Sequence, residues 1–256
     1  MPVFLLLLLL LFSSACTVLE DRDNCPCRLH IDLSAVPYPE VSLSLSLSDD
    51  SWNELRTLTL PGDGTLVVDV PRGKVDVLAV YPGSSGDFSR QGWDIPTGED
   101  CPPVYLDACR VDTDREEAFC SLSLHKHFCL LTLRLASDDG GEPFPFRLSV
   151  DGRVSGFSPR GAPREGAFFY RLPPFDAAGE TTVCLPRQKD ASLTMEVLFT
   201  DEVLRHFALG ELMARGGYDW SAPDLADATM TLDYARTRLT LRSGAWEETV
   251  FFEKVL

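Results

Sequence analysis

The chain is 256 residues long, 45% hydrophobic, and carries 39 acidic against 23 basic side chains, for a net charge of −16. That balance excludes nucleic acid as a partner, because a phosphate backbone needs neutralising cations, and it keeps the body of the protein off anionic lipid. The length suffices for one large or two modest domains, each with its own core.

The chain opens with Met1-Pro2-Val3-Phe4, a run of leucines from Leu5 to Leu11, and then Phe12-Ser13-Ser14-Ala15-Cys16. A short apolar run followed by small residues has the form of a secretory leader and is too short for a permanent membrane span. Slim side chains just ahead of a cysteine suit a lipoprotein signal peptidase, so residues 1–15 read as the leader and Cys16 as the lipidated mature N-terminus. Two features depart from the usual pattern: no Lys or Arg precedes the leucines, and Ser13 stands where Leu or Val is common. An ordinary cleaved leader with Cys16 as a structural cysteine is the alternative. Residues 16–27 then form a tether, in which Glu20, Asp21 and Asp23 have the character of a surface-export signal.

Seven further cysteines follow: Cys25, Cys27, Cys101, Cys109, Cys120, Cys129 and Cys184. Export makes disulfides chemically reasonable, and an odd number leaves at least one thiol over. Cys25-Pro26-Cys27 is too tight for an easy ring, and two spaced CxxC pairs of the zinc kind are absent. Cys101 and Cys109 bracket a short extended segment and form the candidate disulfide. The others read as small buried hydrophobes.

Beyond the tether, alternation with period two recurs and helical periodicity is scarce. Residues 28–33 form a first strand. Val41, Leu43, Leu45 and Leu47 alternate with serines, giving a strand with one apolar and one hydroxyl face. Pro61-Gly62-Asp63-Gly64 turns the chain into residues 66–70, and Pro71-Arg72-Gly73 turns it again into a buried β-branched run, residues 75–81. Residues 83–100 read as an irregular loop, with a short strand at 104–106 after it. Residues 119–136 form the next strong block, followed by strands at 144–150, 181–185 and 193–200. Residues 153–174, rich in Pro and Gly, read as a long surface loop. The one clear helix is 209–214, stopped by Gly216-Gly217. Strands at 229–233, 237–241 and 249–256 close the chain. Short strands with a turn every eight to twelve residues predict all-β sandwiches, divided near Ser121 into 28–121 and 122–256. A fragment beginning at Leu122 is then expected to fold alone.

Several short motifs keep a definite order: Cys25-Pro26-Cys27-Arg28-Leu29, Leu124-His125-Lys126, Leu185-Pro186-Arg187-Gln188 and Phe207-Ala208-Leu209-Gly210-Glu211. Gly217-Tyr218-Asp219-Trp220, then Asp224-Leu225 and Asp227, Asp233-Tyr234-Ala235, and Trp246 complete the set. In these the chain resembles the FimB-like, fimbrillin-associated anchor lipoproteins of Bacteroidetes, over nearly the whole mature length and most specifically after residue 185. The resemblance implies two tandem transthyretin-like β-sandwich domains, a lipid on the N-terminal cysteine, and a place at the outer membrane, on the cell surface, as the base of a pilus. It implies a fimbrillin shaft subunit as partner, with assembly by strand exchange. A stalk subunit of that class loses its N-terminal strand to open an acceptor groove. Here that strand is joined to the lipid through the tether, so it is expected to stay. The terminal strand is either an internal strand of the second core or a donor that swings out, and in the absence of donation the partner docks on an exposed edge without exchange.

Searches for chemistry end without a catalytic residue, a cofactor motif or a metal site. Gly156-Phe157-Ser158-Pro159-Arg160 lacks the second glycine of a nucleophile elbow, and no P-loop, H-E-x-x-H or G-x-G-x-x-G occurs. His125 and His127 share a strand face without a third ligand, and read as structural. Asp112, Asp114, Glu116 and Glu117 lack calcium-loop register and read as a solvated acidic loop. Tyr218, Trp220 and Trp246 could make a sugar platform or fill corners of the core; Asp219, Asp224 and Asp227 fit backbone capping at an irregular connection. Three functions are thus weighed: a pilus anchor, a glycan-binding surface lipoprotein, and a secreted hydrolase. The motifs favour the first.

Overall fold

A computed structural model describes residues 25–36, 40–47, 52–59, 64–81, 92–136, 144–158, 160–200, 202–233, 238–243 and 246–251. The leader, Cys16, the acidic cluster at 20–23 and Tyr234 lie outside them.

Four sheets make up the molecule. In the first, β1 (Cys27–Asp32) lies between β4 (Thr65–Val70), antiparallel to it, and β8 (Glu117–Ser121), parallel to it. The second is ordered β3 (Trp52–Thr59), β2 (Glu40–Leu47), β5 (Lys74–Tyr81), β7 (Tyr105–Asp112) and β9 (His125–Lys126). Alternation along β1 sends Cys27, Leu29 and Ile31 into the space between these sheets, where each is fully buried against Val75, Val77 and Ala79 of β5. That packing makes the first β-sandwich.

The third sheet runs β13 (Glu180–Pro186), β10 (Phe128–Leu135), β16 (Ala228–Asp233), β17 (Arg238–Ser243) and β18 (Trp246–Phe251). The fourth runs β12 (Pro163–Arg171), β11 (Arg147–Phe157), β14 (Thr194–Phe199) and β15 (Glu202–Phe207). Leu131, Leu133, Val183 and Met230 from one meet Val150, Met195 and Val197 from the other, with Leu209, Leu212 and Met213 of the helix α1 (Leu209–Arg215) joining them. This is the second sandwich, and the molecule is all-β apart from that one helix among the described residues.

The two cores share a wall. In β5 the odd positions face the first core, while Leu78 and Val80 belong to the second cluster, with Leu106 of β7. Burial on both faces explains why β5 reads as a continuous apolar run rather than an alternating one. Strand pairing also crosses position 121: β6 (Trp93–Asp94) pairs with the end of β11, and β9 pairs with β7.

Three expectations are corrected here. Residues 153–174 are not a long loop: they form the second half of β11, a tight turn, and β12. The glycines that suggested a loop mark close approaches instead. Gly156 has φ +157°, and a Cβ there would sit 2.0 Å from the Trp93 carbonyl oxygen, so glycine lets β6 lie against β11. Within 83–100, β6 and the buried Trp93 and Ile95 belong to the second sandwich. The strand expected at 104–106 runs on to Asp112, because β5 pairs it along its whole length.

Candidate functional site

Three of the motifs, at 124–126, 185–188 and 217–227, meet beside β9 at the edge of the second sheet. Arg187 follows the last residue of β13 and is 8% exposed. Its Nη1 donates to the carbonyls of Trp220 (2.6 Å) and Ala222 (2.7 Å), and its Nη2 to those of Pro223 (2.7 Å) and Lys126 (3.2 Å). Nε donates to His127 Nδ1 at 3.1 Å. A planar fork with five donors can satisfy that many acceptors from one position, which lysine cannot. Burial depresses the guanidinium's pKa, with nearby Tyr218, Asp224 and Asp219 opposing it.

Carboxylates complete the clasp from the same irregular segment. Asp224 accepts the Lys126 backbone N–H at 2.8 Å and faces His125 Nδ1 at 3.3 Å, and the first of these contacts chiefly holds its pKa below the ordinary carboxylate value. Asp227 accepts the Leu130 N–H (2.8 Å) and the Lys126 ammonium (2.5 Å). Asp219 accepts from Ser221 N and Oγ. All three aspartates therefore cap backbone at an irregular connection. Behind them the Tyr218 hydroxyl donates to the Ala226 carbonyl (2.6 Å), and its ring lies 4.7 Å from that of Trp220, centroid to centroid. Tyr218 is buried, and Trp220 is half-buried, packed on the core with its indole N–H enclosed. The Trp246 side chain lies outside the described residues.

Three further aspartates, absent from the sequence reading, hold other parts of the fold, and Asp76 among them links the two sandwiches. Asp100 accepts the N–H groups of Cys101 (3.0 Å) and Cys184 (2.8 Å); burial pushes its pKa up to about 6 despite those bonds. Asp76 on β5 is 6% exposed and takes Arg160 Nε (2.9 Å) from the β11–β12 turn and Arg110 Nε (3.3 Å) from β7. In that turn Gly161 has φ +75°, and a Cβ would come within 2.7 Å of Leu106 Cδ1, so the turn needs glycine to press on the first sandwich. Asp94 pairs with Arg164, tying β6 to β12. Spacing gave no sign of these partners.

The candidate metal and catalytic groups do not assemble. His127 is turned inward, and burial, aided by Arg187, drives its pKa down to about 3. It is a neutral acceptor, while His125 faces Asp224. No group of three His, Cys, Asp or Glu side chains that could hold a metal occurs among the described residues. Asp112 accepts the Asp114 N–H at 3.0 Å and pairs with Arg115, while Asp114 faces Arg72, so the loop's carboxylates are taken up by backbone and arginine. Ser149, Glu196 and His206 do form a line across the fourth sheet, but the carboxylate stands in the middle. The hydroxyl therefore has no imidazole to take its proton.

The seven described cysteines are free thiols. Cys101 and Cys109, the candidate disulfide, face different partners. The Cys101 thiol bonds that of Cys184 inside the second core, whereas the Cys109 thiol bonds that of Cys120.

Comparison with known proteins gives the fold a place. No family model and no curated sequence matches the chain. Among solved structures it is similar to the fimbrial anchor protein Mfa2 from Porphyromonas gingivalis, with TM-score 0.60 and 8% identity over 87% of this chain and 99% of that one. A candidate adhesin from Bacteroides ovatus also gives TM-score 0.60, with 11% identity over 88% and 95% of the two chains. A candidate polysaccharide-binding protein from Bacteroides thetaiotaomicron gives 0.58, with 8% identity over 88% and 98%. At these identities the shared property is architecture. The chain has the two-sandwich fold seen in a fimbrial anchor protein, as its motifs imply.

Proposed function

We propose that this chain is a lipid-anchored structural subunit that anchors or initiates a fimbrium at the outer membrane, holding a fimbrillin shaft subunit at the cell surface. The observation that carries this reading is the placement of β1. It begins 11 residues after Cys16, lies in the middle of its sheet, and buries Cys27, Leu29 and Ile31 completely. Removing it would part β4 from β8 and strip one wall from the first core. A subunit that keeps such a strand, tethered to lipid, terminates a fibre at the membrane. Its role is structural, and the packing of Tyr218 and Trp220 against the second core supports this over glycan binding.

Cys16→Ser tests the anchor. The variant should move from the membrane fraction to the soluble one and lose fatty-acid label, with fimbriae shed into the medium as they would be from a deletion strain. Unchanged partition with no label on the wild type would overturn the reading.

A further inference from the structure

Strands β7 and β8 are consecutive, yet no ladder joins them among the described residues. β7 is paired to β5 and β8 to β1, so the two diverge into opposite sheets of the first sandwich. A cleft of about 350 Å³ opens between them, lined by Arg110, Val111, Ala118, Phe119 and the two cysteines. Counting outward from the turn that links Asp112 to Glu117, Cys109 and Cys120 occupy opposed positions. Both are half-buried, and their thiols are hydrogen-bonded to each other across the cleft.

We propose that Cys109 and Cys120 form a disulfide that closes this side of the first sandwich, an inference that rests on the export required by the proposed function. Opposed positions on diverging strands place both thiols on one cleft where backbone bonds are missing, the kind of site a disulfide closes. The hydrogen bond with Cys120 lowers the pKa of the Cys109 thiol, and exchange begins when one thiol of the pair, here Cys109, ionises. Its thiolate attacks one sulfur of a small-molecule disulfide of the glutathione class. The acceptor's S–S bond breaks and its other half leaves as a thiol with the proton that Cys109 gave up. Cys120, deprotonated in turn, attacks the Cys109 sulfur and expels the second thiol. Two cysteine thiols are oxidised and one acceptor disulfide is reduced to two thiols. Cys101 does not compete, because its thiol is enclosed with Cys184 in the other core.

The test uses the purified full chain in detergent, incubated with oxidised glutathione, alkylated, and digested with trypsin without reduction. Cleavage after Arg90, Arg110, Arg115 and Lys126 places Cys109 on peptide 91–110 and Cys120 on peptide 116–126. The expected product is these two peptides linked, with 111–115 released. Cys120→Ser and Cys109→Ser should each abolish it. Reduction should lower the wild-type thermal midpoint by roughly 6–12 °C, the entropy of a short closed loop, and leave both variants unmoved. A bridge within 91–110, or alkylation of both Cys109 and Cys120, overturns the proposal. This readout does not depend on where the chain resides, so its failure leaves the anchor reading standing, and failure of the Cys16→Ser fractionation leaves the bridge standing.

Discussion

On one side of the second sheet, where β9 meets the irregular segment at 219–227, one guanidinium reaches five acceptors and three aspartates cap backbone N–H groups or carry side-chain partners. Towards the far end of β7, that strand leaves β8 without a single ladder bond among the described residues, and a cleft stands between them. The first region has no regular pairing to rely on and is fixed by side chains that satisfy orphaned carbonyls. The second breaks an otherwise regular hairpin so that its strands can serve two sheets. Irregular backbone can thus be the firmer part when its polar groups are matched.

Removing the shared wall should break the comparison most severely. A fragment beginning at Leu122 lacks Trp93 and Ile95, which are 5% and 6% exposed, along with Leu78, Val80 and Leu106 of the same cluster. Burying each large apolar side chain contributes about 1.5–3 kcal/mol, so the fragment should be less stable than the full chain by roughly 5 kcal/mol or more. Starting at Gly92 should recover part of this through β6. Equal urea midpoints for the fragment from Leu122 and the full chain would show that the second core needs nothing from before residue 122.

Next in size is Arg187→Met. It strands four carbonyls and an imidazole nitrogen without a donor, and should cost roughly 3–5 kcal/mol, read as a lower urea midpoint at unchanged slope. Arg134→Met, which removes the exposed pair with Glu180, should cost at most about 1 kcal/mol. Similar losses for the two would mean that the junction is no firmer than the surface.

Smallest is a pH effect at Asp100. Its folded pKa of about 6 lies above the ordinary value near ~3.9, so the folded chain keeps a proton that the unfolded chain has already lost. The group's stabilising contribution is therefore full below about pH 4 and is lost as pH rises to about 6. Asp100→Asn keeps an oxygen acceptor and does not titrate. Relative to wild type, the variant should gain stability steadily between these limits and stay level above them. A difference independent of pH would show that the carboxyl is not strained by burial.

Much of this architecture is legible in the residues. The serine alternation of β2, the apolar run of β5, and the Gly-Gly stop after α1 all report local physics, and two strands and a helix end stand there. β6, the far half of β7, β12 and β15 were not, because their strand character comes from pairing partners distant in sequence, and glycine near Gly156 and Gly161 imitates a loop. The motifs at 124–126, 185–188 and 217–227 could be picked out singly, but nothing local says that Arg187 reaches all three. Cysteine spacing misled in the same way: Cys101 and Cys109 are near in sequence but enter different cores. That difference arises where the chain leaves the second sandwich to begin β7.

The two-sided pairing of β1 also has a mechanical meaning. A pull along the tether enters the molecule at Cys27 and runs down the strand axis. The ladders to β4 and β8 lie on either side of that axis, running antiparallel and parallel. Load applied this way is shared among all their hydrogen bonds at once, in shear, rather than opening them one by one as it would in a strand peeled from an edge. In the proposed anchor, β1 would therefore act as a tension joint, resistant to drag on a partner held at the far end of the molecule.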